Sequence, residues 1–374
     1  AYRRQRQMCI RDRVYSLKIP GKLYLAGEYA VVTPGYAGIL MTVNRYLSLD
    51  IWETSPDQAS VRSHTYGNQA YAWERLDGIF SFKDWSHPFH LVETVIQTVE
   101  AYIKSLSLPL KNYGIQIKSQ LDYQGKKIGL GSSGAVTIAV IRGLSFLYDL
   151  HLTDLDIFKL AAIAHIQLKS KGSFGDLAAC TYTGLIRYQS LDKDWLKKQI
   201  PNHSIRDLLA MDWPKLGLDR LSLPHDLKLL IGWTGQPAST EKLVQAVYPK
   251  KTGKTPLDFQ SFLNQSQDCV NGLVESLSQG DSQASLAWIQ KNRALLKAMG
   301  QSRGKVIETK ALTYLCDIVA KYGGQAKSSG AGGGDCGIGL ITRENPIEAI
   351  YQEWMDAGIL PLKLDIVENG ACYD

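Results

Sequence analysis

The sequence predicts an α+β protein of two lobes, and three observations carry that expectation. A chain of 374 residues is longer than one small core comfortably serves, so two lobes facing each other across a cleft are expected. Strand-like alternation leads and helical runs follow, instead of strict strand-helix repetition. The final quarter then alternates loop, strand and helix once more. No internal repeat or low-complexity linker marks a boundary, which is set softly near 220. Residues 1–13 are expected to be a tail outside the fold (a tag, a leader or an artefact), 14–220 an N-terminal lobe and 221–374 a C-terminal lobe.

The elements follow in order. Tyr15, Leu17 and Ile19 alternate as on a half-buried strand, and PGKLYLAGEYAVV (20–32) then reads as two strands meeting at a Gly-containing bend. Strand-like pieces at Tyr46 to Trp52 and Tyr71 to Trp73 precede a helix from Leu91 to Leu106. Tyr113 to Leu121 alternates as a strand. Ala135 to Leu150 is apolar on nearly every side, which requires a buried helix. Thr153 with Asp156 forms a variant capping box that opens a second helix through FKLAAIAHIQL, ending at Gly172. LKLLIGWT (227–234) restarts a strand, and Asp281 to Met299 is helical.

Composition excludes several classes. With 45% hydrophobic and 21% charged residues the chain is an ordinary globular protein. Of 42 basic and 36 acidic residues, five and one respectively lie in the first thirteen positions, leaving 37 against 35 in the body. That balance lacks the excess of a nucleic-acid binder. Six scattered cysteines form no C-x-x-C pair, so reduced thiols in a cytoplasm are expected. No uncharged apolar run is long enough to span a bilayer.

Two glycine loops carry the chemistry. In IGLGSSGAV (128–136), Gly129, Leu130, Gly131, Ser132, Ser133 and Gly134 precede the buried helix. A helix N-terminus offers unsatisfied N–H groups and a positive dipole end, which suit phosphate. A structural turn would look almost the same. The loop also matches G-x-G-x-x-G with Asp149 about twenty residues on, as a dinucleotide-dependent oxidoreductase would. That rival is weakened because Asp149 ends the helix that the loop begins, with no strand between. No P-loop lysine run and no protein-kinase motif set occurs. The second loop, KSSGAGGGDCGIGL (327–340), has five glycines in eight residues, an entropic cost that implies backbone conformations or approaches barred to side chains.

These residues resemble the GHMP kinases. PGKLYLAGEYAVV, IGLGSSGAV and KSSGAGGGDCGI appear as that family's three motifs, in order, and the likeness runs from about residue 14 to the C-terminus. GEYAV in place of GEHAV, GLGSSG in place of GLGSSA and the aspartate of GGGDC resemble the family's bacterial branch that phosphorylates phosphomevalonate. The resemblance implies a ribosomal-protein-like N-terminal lobe and a ferredoxin-like C-terminal lobe with the site between them. It also implies ATP-dependent phosphorylation of 5-phosphomevalonate with Mg²⁺, by a monomer or homodimer that binds neither nucleic acid nor membrane. Mevalonate kinase, another small-molecule kinase of the family, and a non-catalytic ligand-binding relative stay open.

The resemblance also places roles. Lys22 matches the lysine that neutralises the transferring group and orients the acceptor, and Asp176, in KGSFGDLAA, matches the family's active-site aspartate. A phosphate monoester acceptor is already ionised near neutral pH, its second pKa being about 6, so Asp176 is expected to hold Lys22 and the metal-phosphate geometry, with proton abstraction optional. Ser133 matches the Mg²⁺-reaching serine. Ser328, Ser329, Gly330, Ala331 and Gly332 would close over the acceptor, and Lys169 and Lys171 could meet its anionic ends. His165 stands where mevalonate kinases carry a glutamate metal ligand, which leaves a second protein ligand in doubt; a packed histidine is the expectation.

Overall fold

Pro20 offers no N–H to a sheet ladder, yet the chain crosses it without leaving the sheet. The computed structural model describes residues 13–236 and 257–368, together with positions 243, 246, 248, 372 and 373. All of the expected tail except Arg13 lies outside them. In it, Val14–Ala26 forms one strand, β1, antiparallel to β2 (Ala37–Glu53), with register shifts at Pro20/Gly21 and Tyr24/Ala26. The expected pair of strands at a glycine bend is therefore corrected to a single bulged strand. A bulge absorbs the residue that cannot donate and bends the strand. Gly21 belongs in it because a Cβ there would lie 2.8 Å from Leu121 and 3.0 Å from Leu130.

At seventeen residues, β2 is long enough to pair with β1 along one edge and with two further strands along the other. These are β6 (Tyr113–Ser119) and β9 (Leu185–Gln189). Strands β3 (Ser60–Ser63), β4 (Ala70–Leu76) and β5 (Ile79–Phe82) continue the sheet beyond β6, and β10 (Gly217–Leu221) continues it beyond β9. A small hairpin, β7 (Asp122–Tyr123) with β8 (Lys126–Lys127), leads into the first glycine loop.

Helices α1 (His90–Ser105), α2 (Ser132–Leu147), α3 (Asp154–Gln167) and α4 (Gly175–Tyr182) pack together over this sheet. Central α2 touches the sheet and all three neighbours, which is why it is apolar all round. The Thr153–Asp156 capping box is formed, Thr153 Oγ1 accepting the Asp156 N–H at 3.1 Å. Helix α2 passes directly to α3, and Asp149 lies in a left-handed turn between them (φ 53°). The strand a dinucleotide fold requires is absent there, and most pairings in this sheet are antiparallel, so the oxidoreductase reading is discarded.

After α5 (Lys193–Gln199) and α6 (Ile205–Ala210), the chain enters a second sheet between Leu221 and Leu227. That sheet is antiparallel, in the order β12 (Gln325–Ser328), β13 (Cys336–Thr342), β11 (Leu227–Trp233), β14 (Leu360–Pro361). Helices α7 (Leu257–Gln279), α8 (Ser282–Ser302), α9 (Lys310–Lys321) and α10 (Ile347–Asp356) accompany it. A final pair, β15 (Cys372–Tyr373), returns to β1 in the first sheet. Among the described residues the protein is thus α+β, with two main sheets beside the small β7–β8 hairpin, and the glycine loops lie where the main sheets meet. Among the described residues no helix is long and apolar enough to cross a membrane.

Candidate active site

The bulge in β1 brings Lys22 onto the first glycine loop. Its N–H donates to the Leu130 carbonyl (2.8 Å) and its Nζ to the Gly129 carbonyl (3.1 Å). The loop fits under the lysine because it carries no side chain at Gly131, where a Cβ would fall 2.7 Å from Lys22 Cε. Gly131 also takes the left-handed conformation (φ 79°) as the N-cap of α2, so Ser132 and Ser133 occupy the first turn with its unsatisfied N–H groups. The helix begins three residues earlier than its apolar pattern predicts, because polar serines serve as its first turn.

The third-motif loop docks on both other motifs. Ser329 Oγ accepts the Tyr24 N–H (2.8 Å) and donates to the Tyr24 carbonyl (3.1 Å), beside the second bulge of β1. The Tyr29 hydroxyl donates to the Ala331 carbonyl (2.5 Å), with the Tyr29 backbone itself at a left-handed φ of 63°. Lys327 forms a buried ion pair with Glu28 and also donates to the Ser328 carbonyl (2.7 Å). On the other side, Cys336 Sγ donates to the Ile128 carbonyl (3.0 Å). A Cβ on Gly129 would meet Asp335 at 2.9 Å. The entropic cost of this loop is explained at Gly332, where a Cβ would lie 2.3 Å from the Ile307 carbonyl oxygen.

Asp176 is the second residue of α4, whose N-cap, Phe174, is left-handed (φ 69°). Gly134 lets α2 and α4 touch: a Cβ there would stand 3.1 Å from three atoms of Asp176. Ser173 supports the same turn, its Oγ hydrogen-bonded to the Tyr24 hydroxyl (2.8 Å) and accepting the Gly175 N–H (3.1 Å). Burial pushes the Tyr24 phenol well above its ordinary range, so it stays neutral. The Lys22 ammonium is held by the Gly129 carbonyl, with no direct ion pair to Asp176.

Together these segments enclose a cavity of about 700 Å³. Among the residues proposed from sequence, Lys22, Gly129, Leu130, Gly131, Ser132, Ser133, Lys171, Asp176, Ser329, Gly330 and Ala331 line it. Gly134, Ser328, Gly332 and Lys169 do not. Gly134 is covered by Asp176, Ser328 is buried behind its own carbonyl bond to Lys327, and Lys169 points away as an exposed residue past the end of α3. Glu28, Tyr29, Lys127, Ser173 and Asp335 line the cavity without having been proposed as site residues. For Tyr29 and Asp335 a signal existed, since both are departures from the usual family motifs.

His165 is packed in α3, as expected, yet it also lines the cavity. Thr137 Oγ1 donates to the Ser133 carbonyl (2.8 Å), which spends its one proton. His165 Nε2, 3.0 Å from that oxygen, must therefore be the donor. Burial lowers the pKa of the imidazole, the nearby Asp176 charge only partly opposing it, so the ring is neutral. One further set of metal-ligand type, His87, His90 and Glu93, gathers at the start of α1. There His87 Nδ1 accepts the Phe89 N–H (3.1 Å), leaving Nε2–H to Glu93 (3.3 Å). With its Nδ1 lone pair taken by the Phe89 N–H and its Nε2 protonated toward Glu93, His87 has no lone pair left for a metal. The set is a hydrogen-bonded helix start.

A cavity that joins a helix N-terminus, a lysine and a carboxylate under a glycine loop is suited to placing two anions end to end. Comparison with known proteins agrees. Residues 90–184 match the GHMP kinases N terminal domain, and residues 273–359 match GHMP kinases C terminal. The chain is 38% identical over 357 residues to a phosphomevalonate kinase from a Streptomyces species, with 92% of this chain and 95% of that protein covered. It is 24% identical over 340 residues to a mevalonate kinase from Methanocaldococcus jannaschii, with 90% and 95% covered. The solved structure of Streptococcus pneumoniae phosphomevalonate kinase in complex with phosphomevalonate and AMPPNP shares the fold, with a TM-score of 0.82, 28% identity and 94% and 99% of the two chains covered. With its three motifs assembled around one cavity and a relative of that identity along nearly its whole length, the chain belongs to the GHMP kinase family.

Proposed function

We propose that the protein is a phosphomevalonate kinase, moving the γ-phosphoryl of ATP to 5-phosphomevalonate to give ADP and 5-diphosphomevalonate on the mevalonate route to isoprenoids. The observation that carries this reading is the 38% identity to a phosphomevalonate kinase along 92% of the chain, with the motif residues facing one cavity. Such anionic substrates belong in a cytoplasm, in keeping with the free, buried thiols of Cys180, Cys269, Cys316 and Cys336.

The first turn of α2 holds the ATP phosphates through its free N–H groups and the hydroxyls of Ser132 and Ser133. Lys22, fixed by Gly129, stands over the loop as the cation that neutralises the transferring group. Ser329, Gly330 and Ala331 line the acceptor side, with Lys171 opposite as a cation for its anionic end. A phosphate oxygen of the acceptor attacks the γ-phosphorus, the bond to the bridging β–γ oxygen breaks, and ADP leaves. The oxygen donors at the cavity, Ser132, Ser133 and Asp176, fit Mg²⁺, a hard cation. Bound there, Mg²⁺ would neutralise phosphate charge. His165 is a neutral nitrogen group tied to Thr137 and contributes no oxygen to it.

Because the attacking group is a phosphate, its own titration sets the acidic limb of kcat/KM, near its second pKa of about 6. Asp176→Asn should keep that limb while lowering the rate. A limb that disappears in the variant would make Asp176 a general base and would favour an alcohol acceptor, such as that of mevalonate.

A further inference from the structure

One wall of the cavity is the loop of residues 168–174, between α3 and α4, and its backbone is awkward. Lys169 (φ 56°) and Phe174 (φ 69°) are both left-handed without being glycine. Such conformations persist only where surrounding contacts hold them. The loop contributes Leu168, Ser170, Lys171, Gly172, Ser173 and Phe174 to the cavity and hands the chain to Asp176.

Ser173 is held from within the site by Tyr24 and from the core by the Tyr188 hydroxyl, which donates to its carbonyl at 2.9 Å. Its neighbours are held from outside. Lys193, the first residue of α5, does not line the cavity; its Nζ donates to the Gly172 carbonyl at 2.8 Å. The same ammonium lies 5.2 Å from the centroid of the Phe174 ring, which also meets the His165 ring edge-on at 5.8 Å. A cation over an aromatic face and a charge-assisted hydrogen bond therefore meet on two residues of a strained turn.

We propose that Lys193 is a positioning residue which, by holding Gly172 and Phe174 together, sets the place of Lys171 and Asp176 and so the affinity for the phosphorylated acceptor. The inference rests on the reading of this wall as the acceptor side. The titratable groups around Lys193 are Asp194 and Lys197 on its own helix, Lys171 beside the Gly172 carbonyl, and the neutral His165 across the Phe174 ring. Burial, helped by Lys197 and opposed by Asp194, brings the Lys193 pKa down to about 8, so the cation is lost within the range of an ordinary assay. The neutral amine keeps neither the cation–π contact nor the charge in its hydrogen bond.

The test compares Lys193→Met and Lys193→Arg with the wild type across pH. Below pH 8, Lys193→Met should raise the KM for 5-phosphomevalonate about tenfold, the value of one ordinary hydrogen bond, and leave the KM for ATP unchanged. Lys193→Arg should restore most of the loss. As pH rises through about 8, the wild-type KM should climb toward that of the Met variant. A ratio that stays constant across pH, or equal effects on both substrates, would overturn the proposal. Amide hydrogen exchange of residues 169–176 tests it apart from turnover. At any pH below 8, exchange faster in the Met than in the Arg variant supports it, and equal exchange overturns it. A wild type that exchanges as expected but ignores 5-phosphomevalonate would instead indict the acceptor assignment.

Discussion

Glu28 and Lys327, 299 positions apart in sequence, form an ion pair closed to solvent, with side-chain exposures of 2% and 0%. Glu28 Oε1 takes the ammonium, while Oε2 is buried with no partner among the described residues. The pair fastens the first motif to the start of the third-motif loop, and so sets the distance between the two halves of the site.

Breaking a buried pair from one side leaves a charge in low dielectric with nothing to balance it, and costs about 3–5 kcal/mol. Glu28→Gln or Lys327→Met alone should lower stability to urea by that order. Removing both should cost clearly less than the sum of the two, because no orphan charge remains. Additive losses in the double-mutant cycle would mean that the two side chains do not act as a pair.

Gly134→Ala probes the contact between α2 and α4. The added Cβ would sit 3.1 Å from the Cβ, carbonyl carbon and oxygen of Asp176, so α4 must give way by a few tenths of an ångström. Alanine suits the helix interior better than glycine. Thermal stability should therefore change little while kcat falls, by about tenfold or more, since small misplacements of reacting groups are expensive. Steady-state kinetics beside a melting curve checks this, and an unchanged kcat would show that α4 has slack.

The acid side of the stability curve should carry the signature of His165. Its folded pKa lies below the ordinary 6.5, chiefly through burial. The unfolded chain therefore binds a proton that the folded one refuses as pH falls below 6.5. His165 contributes fully above that value, and its contribution is lost progressively on going down toward the folded pKa. In His165→Gln the slope of unfolding free energy against pH just below 6.5 should be shallower than in the wild type. Identical slopes would place the titration elsewhere.

Much of the site could be read from sequence because its devices are local. IGLGSSGAV announces a helix start and KSSGAGGGDCGI a glycine loop through residues adjacent in the chain, and the Thr153–Asp156 box spans a single turn. The single bulged β1 was missed because Pro20–Gly21 has the local chemistry of a turn, and only pairing with β2 overrides it. Lys193 and Lys327 look like any surface lysine. Lys327 is buried against Glu28 and Lys193 half-buried over Phe174, and only the tertiary fold brings those partners in. Lys169 failed as a cavity residue for the opposite reason. The left-handed turn after α3 sends it outward while Lys171, two positions on, faces in.

The proposed activity depends on which anion the cavity receives beside ATP. The direct measurement is ADP release from ATP and Mg²⁺ with mevalonate, 5-phosphomevalonate, 5-diphosphomevalonate or homoserine as acceptor. Turnover with 5-phosphomevalonate should exceed that with every other acceptor in kcat/KM. A preference for mevalonate over its phosphate would contradict the assignment.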